Sequence, residues 1–395
     1  MKWASAIGLD RDLETAVADA LEQLTADGEM TRPDLVIAFV SAAYGAAMDG
    51  LPKALEPWLG EGLLIGCNAG GLIGAGREEE EQSGVAILAG QLGDVTMKAL
   101  HLEQATIPPL IATREIWWRL LGLGPESAPS FLLLADPATI DAQACARGID
   151  RAFPGATIVG GLASGASEPG SARLFADRDV HRSGGLLLAL TGNVAIDPVI
   201  AQGCRPIGEP LFVTACDGNL LHELDGRRPR ELLAALFASL DEADRELFAD
   251  SLCIGLALPG PRQTAGTGEF LIRNVLGLDP DSGALWIGAR LARNTVVQFH
   301  LRDGVAASRE LAARLGAALE GRAPPAAALL FSCAARGRGM FGVSGHDSAA
   351  LRRIAEVPIA GMFCAGEIAP VEGATFLHSF SSVFGLIRPR VADSN

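Results

Sequence analysis

Two arginines on a glycine-flanked stretch are the residues of this sequence best suited to holding an anion. Ser332-Cys333-Ala334-Ala335-Arg336-Gly337-Arg338-Gly339 follows an apolar run, and a guanidinium fork suits two-point contact with a carboxylate or phosphate. In open α/β sheets ligands gather where strands end, the place this stretch would occupy. The bland alternative is that Arg336 and Arg338 pair with the chain's own acids. Cys364, with Gly366 and Glu367 behind it and His378 further on, supplies the types for a thiol nucleophile and a histidine base. Nothing in the spacing demands that role, and a cysteine at a strand end also serves as a small apolar residue. Cys67 and Cys333 read as comparable strand-end positions, which suggests shared packing as much as reactivity.

A second candidate is the run from Gly66 to Gly76, which includes Cys67, Asn68, Gly70, Gly71 and Gly74 straight after a short apolar segment. Glycines let a ligand approach backbone N–H groups, as nucleotide-binding loops do. The run lacks the Lys-Ser/Thr ending of a P-loop, and Glu78 to Glu81 would repel phosphate. A tight structural turn and a small-ligand loop remain the two readings. Arg273-Asn274 and His300, with Arg302 and Asp303, form a third group; His300 reads as a hydrogen-bonded structural histidine. No G-x-S-x-G elbow, deaminase signature or framed carboxylate pair occurs.

The elements that must position these groups follow from periodicity. Leu13, Val17, Ala20, Leu21 and Leu24 recur at helical steps, with Asp10 as N-cap. Residues 35–40 read as a buried strand, 51–59 as a helix, 63–65 as a strand, then the glycine run and a closing strand at 85–88. The order returns with a helix at 115–121, strands at 131–134 and 157–159, Gly160 to Gly165 as the loop, and a closing strand at 186–190. It returns again with a helix at 306–319, strands at 328–333 and 357–361, a loop at 362–367 and a closing strand at 382–387. Leu92-Gly93-Asp94 and Thr191-Gly192-Asn193 read as hairpin turns after the first two closing strands. Between the second and third copies, Asp217-Gly218 marks a hairpin, 229–240 a helix, and 271–275, 285–287 and 296–300 antiparallel strands. The expected fold is therefore α/β, two domains with mixed sheets covered by helices, built from three degenerate helix–strand–helix–strand–Gly loop–strand units plus an antiparallel insertion. Residues 1–205 would hold two units, and 206–395 the insertion and the third.

Composition narrows the function classes. A net charge of −15 over 395 residues, with no long Lys/Arg run, argues against a nucleic-acid partner. No segment reaches about 18 unbroken apolar residues, so no membrane span is expected, and charges at Asp10, Arg11 and Asp12 interrupt any export signal. These features point to the cytoplasm. Seven cysteines without a C-x-x-C pair argue against a disulfide framework, and neither they nor the six histidines show metal-ligand spacing. No metal or cofactor is expected.

Several of these motifs resemble one family. Ile65 to Gly74 followed by Glu80, Gln82 and Ser83-Gly84-Val85-Ala86 resembles the FIST N-terminal domain. Phe270 to Gly277 with Asp279-Pro280, Val297 to Asp303, Leu330 to Cys333 with Arg336 to Gly339, and Phe363 to Ile368 resemble the FIST C-terminal domain. The resemblance runs from about Asp34 to His378. It implies a paired sensory module that binds small ligands, amino acids or other small carboxylates among them, and that in bacteria is often joined to signalling outputs. No output module is recognised here, so a separate signalling partner is expected. The resemblance brings no catalytic residues. The expectation is a non-enzymatic ligand sensor; the alternatives are a cysteine-dependent enzyme acting on a small carbonyl compound and an interaction scaffold.

Overall fold

A computed structural model describes residues 1–26, 28, 30–109, 113–166, 168, 170–258 and 270–390. Two compact units result, one of Met1–Ala201, Leu311–Leu377 and the residues from Ser381 on, the other of Gln202–Glu310 and His378–Phe380. The division foreseen at residue 205 follows the chain, whereas compactness gathers the third strand unit with the first two.

Each of the three strand units contributes a parallel pair and an antiparallel closing strand. Leu35–Ser41 pairs in parallel with Leu63–Ala69 and antiparallel with Gly84–Gln91. Ser130–Ala135 stands likewise between Thr157–Leu162 and Gly185–Gly192, and Ala327–Cys333 between Ile359–Cys364 and Ser381–Arg388. A strand preceding each unit adds outside its closing strand: Lys2–Leu9, Val95–Leu102 and Ala195–Gln202. A hairpin from a different unit adds outside each second strand. Leu174–Ala176 and Asp179–His181 join the first sheet, Glu367–Val371 and Ala374–His378 the second, and Gly71–Gly74 and Arg77–Glu79 the third. Three six-stranded sheets of one strand order result, joined by this cyclic exchange.

Side-chain alternation explains why these strands are apolar throughout. Ile37, Phe39, Leu132, Leu134, Leu329 and Phe331 face one core common to the three sheets. The intervening residues face helices instead, as Val36 and Ala38 do toward Val17 and Leu55 of Leu13–Thr25 and Leu51–Leu59. Leu133 meets Trp117 and Ile149, and Leu330 meets Leu311 and Leu351, in the same way. A strand buried on both faces needs no polar alternation.

Four expectations change. The turns at residues 92–94 and 191–193 make no hairpin: both edges of Gly84–Gln91 are already occupied, so Val95–Leu102 crosses to the second sheet. The N-cap of the first helix is Asp12, whose Oδ2 accepts from the Thr15 N–H at 2.9 Å, not Asp10. Much of each expected glycine loop is strand. Gly66, Gly160 and Gly361 occupy one equivalent position, where a Cβ would lie 2.0, 1.9 and 1.8 Å from the carbonyl oxygens of Ala38, Leu133 and Leu330. Glycine is required there by close strand approach, not by a turn. This register equates Cys67 with Gly161 and Met362, so Cys67 and Cys333 are not counterparts.

In the second unit, Cys204–Asp217, Leu220–Leu224, Leu285–Ile287, Phe270–Leu278, Leu252–Ala257 and Val296–Arg302 close into a barrel. Its interior holds Val213, Leu221, Ile254, Leu285, Val297 and Phe299.

Candidate functional site

Polar residues are buried on both sides of the third sheet where its strands end. Ser332 shares the helix-facing side with Ala328 and Leu330, and its Oγ donates to Asp347 Oδ2 at 2.9 Å. Arg336, fully buried, donates from Nε and Nη2 to the two oxygens of Asp347, each at 2.8 Å. His346 Nδ1 lies 2.9 Å from Asp347 Oδ1, and its ring stacks on Phe341 with centroids 3.5 Å apart. The Arg336 guanidinium lies over the same Phe341 ring at 5.1 Å. Burial opposes ionisation of Asp347, but the Arg336 charge and hydrogen bonds outweigh it and hold the carboxyl well below its ordinary value.

Two donors there are left over. Among the described residues, Arg336 Nη1 and Ser382 Oγ are buried with no hydrogen-bond partner. Ser382 pairs with Ser332 across the antiparallel ladder, so both serines project from the same face.

The inward side carries Cys364, Glu367 and Ser381. Glu367 Oε2 accepts from the Ser381 N–H at 3.1 Å and its hydroxyl at 2.6 Å, and Cys364 Sγ donates to Oε1 at 3.3 Å. Burial pushes the Glu367 carboxyl up to about 7 against the lowering by Ser381. Burial and then the Glu367 charge push the Cys364 thiol well above its ordinary value, and burial raises the Cys67 thiol too. A nucleophilic cysteine needs the opposite shift.

The first unit's hairpin supplies the neighbouring wall. Glu78 Oε1 accepts from the Ser348 N–H at 2.6 Å, Glu80 from the Arg338 N–H at 2.9 Å, and Glu81 pairs with the Arg338 side chain at 2.8 Å. The acidic run therefore holds the arginine loop in place. Gly337, at φ 62°, lies so close to Glu80 that a Cβ would meet its carboxylate at 2.4 Å. Both arginines have acidic partners, and Arg336 keeps one buried donor, Nη1, without a partner.

The glycine corners themselves are tied together. Asn68 Nδ2 donates to the Ser164 carbonyl at 2.7 Å, and its Oδ1 accepts from the Arg173 N–H at 2.7 Å. The Gly70 N–H donates to Ser164 Oγ at 2.8 Å, and that hydroxyl donates to the Phe363 carbonyl. A Cβ on Gly71 would lie 2.8 Å from the Phe363 ring, and the Gly366 carbonyl accepts from the Leu162 N–H at 2.9 Å. These strand ends of the three sheets close on one another.

Arg273, Asn274, His300 and His378 belong to the second unit. His300 is buried, with Nδ1 3.0 Å from the Gln298 carbonyl and its ring against Phe270 at 5.4 Å; burial lowers its pKa. Arg273 Nη1 donates to the Ile272 carbonyl at 2.7 Å, and Asn274 is exposed. Asp347, Ser382 and Ser381 escaped the sequence reading, and Glu78 was read only as a charge repelling phosphate. The available signal was an aspartate on the packed face of the short helix His346–Arg352.

Comparison with known proteins places the chain. The FIST N domain model matches residues 34–227 and the FIST C domain model residues 230–370. An uncharacterized protein of Mycobacterium tuberculosis is 34% identical over 377 residues, covering 95% of this chain and 96% of its own. One of Mycobacterium bovis is 33% identical over 380 residues, with the same coverage. Among solved structures, a cyanuric acid hydrolase from A. caulinodans covers 99% of both chains at 10% identity and a TM-score of 0.36, a likeness too low to carry an argument. No helix among the described residues is long and apolar enough to cross a membrane. The chain belongs to the FIST family, whose domains are the sensory domains of signal-transduction proteins and bind small ligands.

Proposed function

We propose that this protein is a cytoplasmic sensor that takes an amino acid or another small carboxylate at the strand ends of the third sheet and acts through a separate signalling partner. One observation carries the choice of site: Arg336 Nη1 and Ser382 Oγ are buried donors without acceptors on the helix-facing side of one sheet. An unmatched buried donor is destabilising by about 1–3 kcal/mol, and a carboxylate oxygen is the acceptor that relieves both an arginine and a hydroxyl. Family membership supports small-ligand binding, and seven unbridged cysteines agree with a reducing compartment. The raised Cys364 and Cys67 thiols weigh against cysteine catalysis.

A thermal-shift screen of amino acids and small organic acids tests this reading. A ligand at a hundred times its Kd adds about 2.7 kcal/mol of stability. Ser382→Ala should leave the ligand-free protein as stable as before or more so, because it removes an unsatisfied group, yet should lose the ligand-induced shift. A screen in which nothing moves the midpoint, or a Ser382→Ala protein that keeps the full shift, would sink the assignment.

A further inference from the structure

A separate groove opens at the opposite ends of the strands. Ser130 and Thr157 are the first residues of their strands, and both line a cavity of about 370 Å³ walled by Pro129, Phe153, Pro154 and Ile196. That volume falls in the range of small-molecule sites.

Its charge is unusual for this molecule. Arg390 lines the groove and donates from Nη2 to the Ala128 carbonyl at 2.6 Å and from Nε to the Val194 carbonyl at 3.3 Å. Both acceptors are neutral backbone carbonyls, so these two contacts leave the Arg390 charge without a counter-ion. Asp197 is the sole acid in the lining, and it is held by Arg322 Nη2 at 2.8 Å and Arg388 Nε at 3.0 Å. Arg388 is itself buried, and its Nη2 has no partner. Two guanidinium groups thus engage the one carboxylate of the lining, and Arg390 adds a third positive charge to the groove of a chain whose net charge is −15. Ser130 Oγ accepts from the Ile196 N–H at 3.3 Å, which leaves its own hydrogen to donate.

We propose that this groove binds a monocarboxylate with a short apolar body and no amino group. The carboxylate is held by Arg390 and Ser130, and the apolar body lies against Phe153 and the prolines. An α-ammonium group would meet the Arg390 guanidinium and find the one acid of the lining already engaged by Arg322 and Arg388, and that repulsion discriminates against amino acids. The site shares no residue with the Arg336–Ser382 cluster and stands or falls apart from it.

Isothermal titration with 3-phenylpropionate and 4-methylpentanoate tests the assignment, with phenylalanine, leucine and acetate as comparison ligands. At least one of the two apolar acids should bind, and the matching amino acid and acetate should bind about tenfold more weakly or worse. Arg390→Gln removes the exposed cation, and Ala156→Trp fills the groove from a partly exposed position. Each should weaken binding by about tenfold or more without lowering the unfolding midpoint, while Ser382→Ala should leave it unchanged. The proposal is overturned if neither acid binds, if acetate or the amino acids bind as tightly, or if binding survives both groove variants. Loss of binding in Ser382→Ala would overturn it as well.

Discussion

Replacing Glu367 with glutamine should alter how stability depends on pH. Glu367 is fully buried, and burial raises its carboxyl from an ordinary 4.5 to about 7. Between those values the folded protein keeps the proton that the unfolded chain releases. The resulting stabilisation is therefore complete below about pH 4.5 and lost as pH rises through about 7. At about 1.4 kcal/mol per pH unit the gap amounts to about 3 kcal/mol. Glu78 and Asp150 are also raised, by burial first, so the wild-type curve alone would mix several groups. The difference between wild type and Glu367→Gln isolates one. Urea unfolding followed by tryptophan fluorescence suits the purpose, because Trp3, Trp58, Trp117 and Trp118 all lie in the unit that holds Glu367. Relative to the variant, wild type should lose about 3 kcal/mol between about pH 4.5 and about pH 7.5. A difference that stays constant across that window would refute the claim that Glu367 is protonated when folded at mildly acidic pH.

The remaining predictions concern the same framework. Asp347→Ala leaves the Arg336 charge buried without its partner and should destabilise by about 3–5 kcal/mol in urea unfolding; the apolar pair Arg336→Met with Asp347→Leu should recover most of that loss. Gly160→Ala drives a Cβ into the Leu133 carbonyl and should be destabilising by about 3 kcal/mol or more, whereas Gly93→Ala meets open space and should change the midpoint little. Thiol labelling of the native protein should reach Cys216 first, as the one cysteine that is not buried. Cys67 and Cys364 should react only at the rate of unfolding, as mass spectrometry of labelled peptides would report.

The parallel strand pairs were legible because strands buried on both faces leave unbroken apolar runs, such as residues 35–40 and 131–134. The helices at Leu51–Leu59 and Arg114–Leu121 announced themselves by apolar spacing. The short hairpin Arg77–Glu79 left no such trace, since an acidic run carries no periodicity and its pairing lies on another unit's sheet. Arg336 was recognisable as a candidate anion holder, yet its partner Asp347 was not. The two meet only because the loop after the strand folds back against a short helix.

Local sequence thus determined which segments become strands and helices, and where glycine, cysteine and arginine stand along them. It also carried the family motifs, because those are contiguous. Tertiary structure alone decided what these residues do. The glycines serve close strand approach, the glutamates hold the arginine loop, and a carboxyl at Glu367 retains its proton because burial withholds water from the charge. Those outcomes depend on contacts made by the fold between separate elements, from Gly66 with Ala38 on neighbouring strands to Glu78 with Ser348, 270 positions apart.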